Sequence, residues 1–197
     1  MLKNMWLAYS LLKHREFQIS FEKTVAGKAI QQYLSLEFRD DNFKHIAGFH
    51  KLKLNSMKDA KRIPEMIRTE RLSYHSVASS PKFETFLRRA TASELIGLGL
   101  VMKDCFVNLY EYVKPEWSKL NADFLLHLRI GAYDYYLFLK SISKVNNSPG
   151  SIYKCRPVSF FRNEPKYGEQ KRYELHQTRL RLQSVVEKVG GVVKQII

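Results

Sequence analysis

The sequence predicts an α+β protein, with N-terminal helices and a hairpin, then a curved antiparallel sheet, then a basic C-terminal helix. Three observations carry this expectation. Residues 16–24 alternate, with Phe17, Ile19 and Phe21 on one side and Gln18, Ser20 and Glu22 on the other. Residues 123–161 hold three β-rich runs separated by turn signals. Residues 169–189 combine helix-forming side chains with many cations.

The elements follow in order. Leu2, Met5, Trp6, Tyr9 and Leu12 share one helical face, and no small-residue cleavage site follows. This segment reads as an amphipathic helix packed on the domain, not as a signal peptide. A second alternating run, 32–39, sets Leu34, Leu36 and Phe38 against Ser35, Glu37 and Arg39. It can pair with the first run around Gly27, although a helix near 25–33 competes. Asp40, Asp41 and Asn42 form an N-cap cluster for a helix opening at Phe43. Ile63, Met66 and Ile67 have helical spacing. Residues 82–100 and 101–112 read as helical, with Pro81 in the first turn and a break at Gly97 and Gly99.

In the sheet region, Phe124, Leu126, Leu128 and Ile130 share a face, and Gly131-Ala132 turns the chain. Residues 133–141 are apolar or aromatic at nearly every position, as in a strand covered on both faces. After a loop at 146–150, a third strand spans 152–161. Pro157 inside it implies an edge, a bulge or a break. Gly190-Gly191 would stop the basic helix and leave an apolar tail. With no repeat, low-complexity tract or flexible linker, residues 1–197 read as a single domain.

Composition narrows the function. The chain has 33 Lys and Arg against 19 Asp and Glu, a formal net charge of +14. That balance favours phosphate-rich or otherwise acidic partners. With 45% apolar residues, a disordered or fibrous chain is excluded. Cys105 and Cys155 cannot form a disulfide framework. They read as small buried hydrophobes of a reducing, cytoplasmic protein. The best apolar windows fall far short of the roughly 18–20 residues that cross a bilayer, so no membrane role is expected. The sequence lacks a glycine-rich phosphate loop, Cys-x-x-Cys, His-Glu-x-x-His and Gly-x-Ser-x-Gly. Neither a metal site nor a cofactor is expected.

Three constellations remain. His45-Ile-Ala-Gly-Phe-His50-Lys51 places two imidazoles and an ammonium within seven residues. On a regular helix the histidines would stand about 140° apart. A helix ending near Gly48 relaxes that constraint. Imidazole can move protons near neutral pH, and lysine can stabilise charge on a phosphorane. The plainer reading is a helix end with one histidine capping and the other solvated. Tyr153, Lys154, Arg156, Ser159 and Tyr167 offer cations, a hydroxyl and stacking rings for a nucleic acid. Here the plainer reading is a strand with aromatic core residues and snorkelling cations. His127 and Arg129 could face the same cleft or form a surface pair. Lys171, Arg172, Arg179, Arg181 and Lys188 could track a phosphate backbone or be a solvated face.

The order of these motifs resembles the phage-associated nuclease-like domains of the Barnase–EndoU–colicin–RelE (BECR) fold group. The matching residues are Phe43-x-His45-x-x-Gly48-x-His50-Lys51-Leu52, Ala122-Asp123-Phe124-Leu125-Leu126, Tyr135-Tyr136-Leu137-Phe138-Leu139-Lys140, and Tyr153-x-x-x-Pro157-x-Ser159-Phe160-Phe161. Tyr167 and Gln170-Lys171-x-Tyr173 complete it, over roughly residues 1–180. The resemblance implies a curved antiparallel sheet with a cleft on one face. It also implies metal-independent cleavage of RNA, tRNA or mRNA, by 2′-hydroxyl attack to a 2′,3′-cyclic phosphate, often in a toxin or phage-conflict role. On this mapping His45 is the base and His50 the acid, or the reverse. Lys51, Lys154 and Arg156 hold phosphate, Ser159 hydrogen-bonds a phosphate oxygen, and Tyr153 or Tyr167 stacks or donates a proton. Lys171 and Arg172 extend the nucleic-acid contact. The alternatives are a non-catalytic nucleic-acid-binding module, and a protein-binding component such as a toxin–antitoxin or anti-defence partner. For the last, Val192, Val193, Ile196 and Ile197 offer an apolar tail that either docks an antitoxin, immunity or defence-system protein or packs on the domain.

Overall fold

The computed structural model describes residues 1–52, 59–87, 105–146, 150–163 and 173–197. Helix α1 (Leu2–Ser10) precedes a hairpin of β1 (Arg15–Val25) and β2 (Lys28–Glu37). The pairing runs from Glu16 opposite Glu37 to Val25 opposite Lys28, with Ala26 and Gly27 at positive φ in the turn. The strand reading of 25–33 therefore wins over the helical one. Four pieces follow: α2 (Asp40–Ile46), a 3-10 turn (Phe49–Lys51), α3 (Arg62–Arg68) and α4 (Tyr74–Ala78). The α2 N-cap is Arg39, one residue before the predicted cluster. Its amide donates to Asn42 Oδ1 at 3.0 Å, while Asp40 and Asp41 lie in the first turn.

The remaining strands are β3 (Phe106–Glu111), β4 (Phe124–Ile130), β5 (Tyr133–Asn146), β6 (Ser151–Arg162), β7 (Thr178–Val189) and β8 (Val192–Gln195). The sheet order is β1-β2-β6-β5-β4-β3-β7, and β7 pairs back onto β1. The predicted curved antiparallel sheet is thus a closed seven-stranded barrel, with β8 added as a hairpin on β7. One contact is parallel: Tyr33–Leu36 of β2 against Ile152–Cys155 of β6. Gly150 makes this approach feasible, because a Cβ there would lie 1.9 Å from the Gln31 carbonyl oxygen. Along the closing seam, Arg15 is ion-paired with the buried Glu187, and Ser20 and Ser184 hydroxyls lie 2.6 Å apart.

Two sequence expectations fail. Within 101–112, residues 106–111 form a strand, because Leu109 and Tyr110 are covered on opposite faces of the barrel wall. The basic C-terminal helix is instead β7, whose Leu180 and Val185 point into the core. Gly190-Gly191 is the β7–β8 turn, both residues at positive φ. The sequence 82–100 lies largely outside the described residues, as do Gly97, Gly99 and 147–149; residues 83–87 are helical.

The main core joins the barrel interior to the helices. Phe17, Ile19, Leu34, Leu126, Leu137 and Phe160 are fully buried, as are Tyr9, Phe43 and Ile46. Phe43 meets Tyr9, Trp6 and Phe49 at ring-centroid distances of 5.0, 5.2 and 5.5 Å, which ties α1 and α2 to the 3-10 turn. A second, smaller core lies on the outer face of the barrel, built on Tyr110, Leu125, Tyr136, Phe138 and Phe161. β4 and β5 are therefore covered on both faces, as the composition of 133–141 predicts. Among the described residues no helix is long and apolar enough to cross a membrane. Both cysteines are buried and neither is in a disulfide, and burial pushes the Cys155 thiol up to about 12.

Candidate active-site cleft

Helix α2 ends at Ile46, and Gly48 takes φ +82°, a left-handed conformation that favours glycine. The chain then turns back, so the 140° separation expected on a continuous helix does not arise. The His45 and His50 rings meet with centroids 5.1 Å apart. His50 Nδ1 lies 3.5 Å from the Lys44 carbonyl, a long contact at the helix end.

α2 packs along β6, and between them lies a cleft of about 420 Å³. Its lining includes His45, Asp41, Asn121, Lys140, Arg156 and Val158. His45 is an exposed residue that lines this cleft. Desolvation of its cleft edge, then the Lys44 and Arg156 cations, hold its pKa below the usual imidazole value; Asp41 opposes them more weakly. This direction favours the neutral imidazole, the form able to accept a proton. Lys140 donates to Asp123 Oδ1 at 2.8 Å, which anchors its ammonium at the edge of the cleft. Among the described residues no group of three His, Cys, Asp or Glu side chains is placed to hold a metal ion.

The position of Arg156 depends on Pro157. Leu139 pairs with Pro157 and Phe138 with Ser159, leaving Val158 as the extra residue of a bulge. Pro157 has no N–H to give to the ladder, so a break in pairing there is favoured. The bulge leaves Arg156 on the outer face while Phe160 still packs inward.

The other predicted residues are spread more widely. Lys154 is exposed on the same face of β6 as Arg156, two residues away. Ser159 is 2% exposed opposite Phe138 and does not line the cleft. Lys51 is half-buried in the 3-10 turn and does not line the cleft either. Tyr153 lies at one end of the barrel, edge-on to Phe124 at 5.2 Å, not beside His45. Tyr167, Lys171 and Arg172 lie outside the described residues. His127 and Arg129 share Asp134 Oδ1, each at 3.0 Å, away from the cleft. In the tail, Ile196 packs into the core at 3% exposure while Val192 and Val193 stay exposed. Sequence reading missed Lys140. Its signal was parity: Tyr136, Phe138 and Lys140 alternate on one face, opposite Arg156 in register.

A cleft against a β-barrel wall, with an imidazole beside guanidinium and ammonium groups, is chemically suited to a phosphate ester. The chain belongs to the family described as phage-Barnase-EndoU-ColicinE5/D-RelE like nuclease 4, whose model matches residues 1–183. None of the curated proteins or solved structures compared with it matches the chain. The membership agrees with the resemblance read from the motifs and identifies a nuclease family of the BECR type.

Proposed function

We infer that the protein is a metal-independent endoribonuclease acting at the α2–β6 cleft. The observation that carries this reading is the α2–β6 cleft, which gathers His45, Arg156 and Lys140 in one lining. In the proposed reaction His45 takes the proton of a ribose 2′-hydroxyl. The 2′ oxygen attacks the adjacent phosphorus, Arg156 and Lys140 hold the non-bridging oxygens, and the bond to the 5′ oxygen breaks. That oxygen takes a proton from Lys140 or solvent, and a 2′,3′-cyclic phosphate remains. With their rings in contact, the two histidines leave no room for a phosphate between them. His50 is thereby assigned to positioning His45. Lys154 and the basic composition supply backbone contacts.

A nuclease family associated with phage and a charge of +14 support an effector role in a mobile-element conflict, acting on tRNA or mRNA in a cytoplasm and restrained by a protein partner. The test is cleavage of total cellular RNA in the presence of a chelator, with 3′ ends mapped. Cyclic phosphate ends from wild type, and none from His45→Ala, support the reading. Equal cleavage by both removes His45 from the reaction. Salt-sensitive RNA binding without products would instead favour a non-catalytic module.

A further inference from the structure

Opposite the helices' aromatic packing, one end of the barrel opens into a second cavity of about 400 Å³, within the size range of small-molecule sites. Phe21, Phe124 and Leu180 give it an apolar floor. Gln32 pairs with the inward-facing Phe21 in the β1–β2 register, so its side chain enters the same space. It is 8% exposed, and its Oε1 is buried with no hydrogen-bond partner among the described residues. Buried amide oxygens are nearly always satisfied, so this one is open to a hydrogen-bond donor from an occupant of the cavity.

The walls restrict the occupant further. Tyr153 contributes an aromatic ring, with the Lys144 ammonium 5.2 Å from its centroid. The rim carries two ion pairs, Lys23–Glu111 at 2.7 Å and Lys140–Asp123 at 2.8 Å. Lys144 adds a cation with no acidic partner among the described residues. A lipid chain would need a continuous apolar wall. A planar ring with an N–H donor, attached to an anion, satisfies the Gln32 oxygen, the aromatic surfaces and the surplus cation together.

Lys140 lines this mouth and also the His45 cleft, so the two spaces adjoin at its side chain. We propose that the barrel mouth is the base pocket of the enzyme, receiving a nucleobase of the RNA strand whose phosphate lies against Arg156 and Lys140. It rests on the ribonuclease reading for its strand and on the cavity alone for its ring chemistry. Gln32 accepts a hydrogen bond from an N–H of the base, and Tyr153 stacks on it.

The test measures binding to the full chain by calorimetry, which does not require cleavage. The probes are the sixteen 2′-O-methyl dinucleotides, which lack the attacking hydroxyl, the four nucleosides, and inorganic phosphate. Wild type should bind the dinucleotides with a preference for one base position. Gln32→Leu, of similar size and without the unpaired oxygen, should bind them at least tenfold more weakly while melting no lower. Tyr153→Leu should weaken binding similarly and Tyr153→Phe should restore it, with phosphate affinity unchanged throughout. Unchanged dinucleotide binding in Gln32→Leu overturns the proposal. So does a site that takes nucleosides and rejects dinucleotides, since it would serve a free nucleotide. Binding by wild type with no cleavage of ordinary RNA would refute the nuclease reading while leaving the ring chemistry of the pocket standing. Cleavage with unaltered base preference in Gln32→Leu would refute the pocket alone.

Discussion

Along the outer face of β5, Tyr136, Phe138 and Lys140 point out in turn. The first two are closed over: Phe138 stacks on Phe161 at 5.5 Å and meets Tyr112 and Tyr173 at 5.1 and 5.0 Å. Tyr136 donates to the Glu174 carboxylate. Lys140, two residues on, stands at the edge of the open cleft with Arg156 opposite. The same strands thus build a packed aromatic patch and a cationic opening side by side. The patch contributes burial and fixes the strands. The opening keeps its charges near water, where an anion can reach them.

This contrast can be broken from its closed end first. Phe138→Ala removes a fully buried ring and should cost about 3–5 kcal/mol of stability. Thermal denaturation should show the largest loss of any variant discussed, far larger than for Arg156→Ala. At the open end, His45→Ala should lower cleavage about 10²–10⁴-fold while melting within a few degrees of wild type. Arg156→Ala should lower it about 10²-fold through lost charge stabilisation, and Arg156→Lys should recover part of that. The smallest effect is expected from Asp123→Asn, which keeps a polar side chain but releases the Lys140 ammonium. It should change kcat by only a few-fold and weaken the salt dependence of RNA binding little, because the cation itself remains. Equal losses of stability in Phe138→Ala and Arg156→Ala would abolish the distinction between patch and cleft.

Local signals in the sequence were legible. The alternation of Phe17, Ile19 and Phe21, the Gly27 turn, the two-sided apolar run at 133–141 and the irregularity at Pro157 all correspond to observed features. A helix does end near Gly48, as the sequence suggested, and the His45 and His50 rings then lie 5.1 Å apart. What was missed depends on distant partners. Leu180 and Leu182 alternate with Arg179 and Arg181, a strand signal, but helix-forming Gln, Glu, Lys and Arg side chains outweighed it. β7 becomes a strand by pairing with β1, some 165 residues earlier, and no local pattern announces that closure. The same holds for the site. Arg156 could be read as a cation on a strand, but its approach to His45 requires α2 to lie along β6. Tyr153, three residues away, turns into the barrel and serves the other cavity.

The most direct test of the base assignment is the pH dependence of kcat/KM for RNA cleavage. Desolvation and two cations lower the His45 pKa, so activity should rise with pH through an apparent value below 6.5 and level off above it. Removing one of those cations, in Arg156→Ala, should move that inflection upward even as the rate falls. An inflection above 6.5 in wild type, or one that Arg156→Ala leaves in place, would contradict a His45 base held by the cleft.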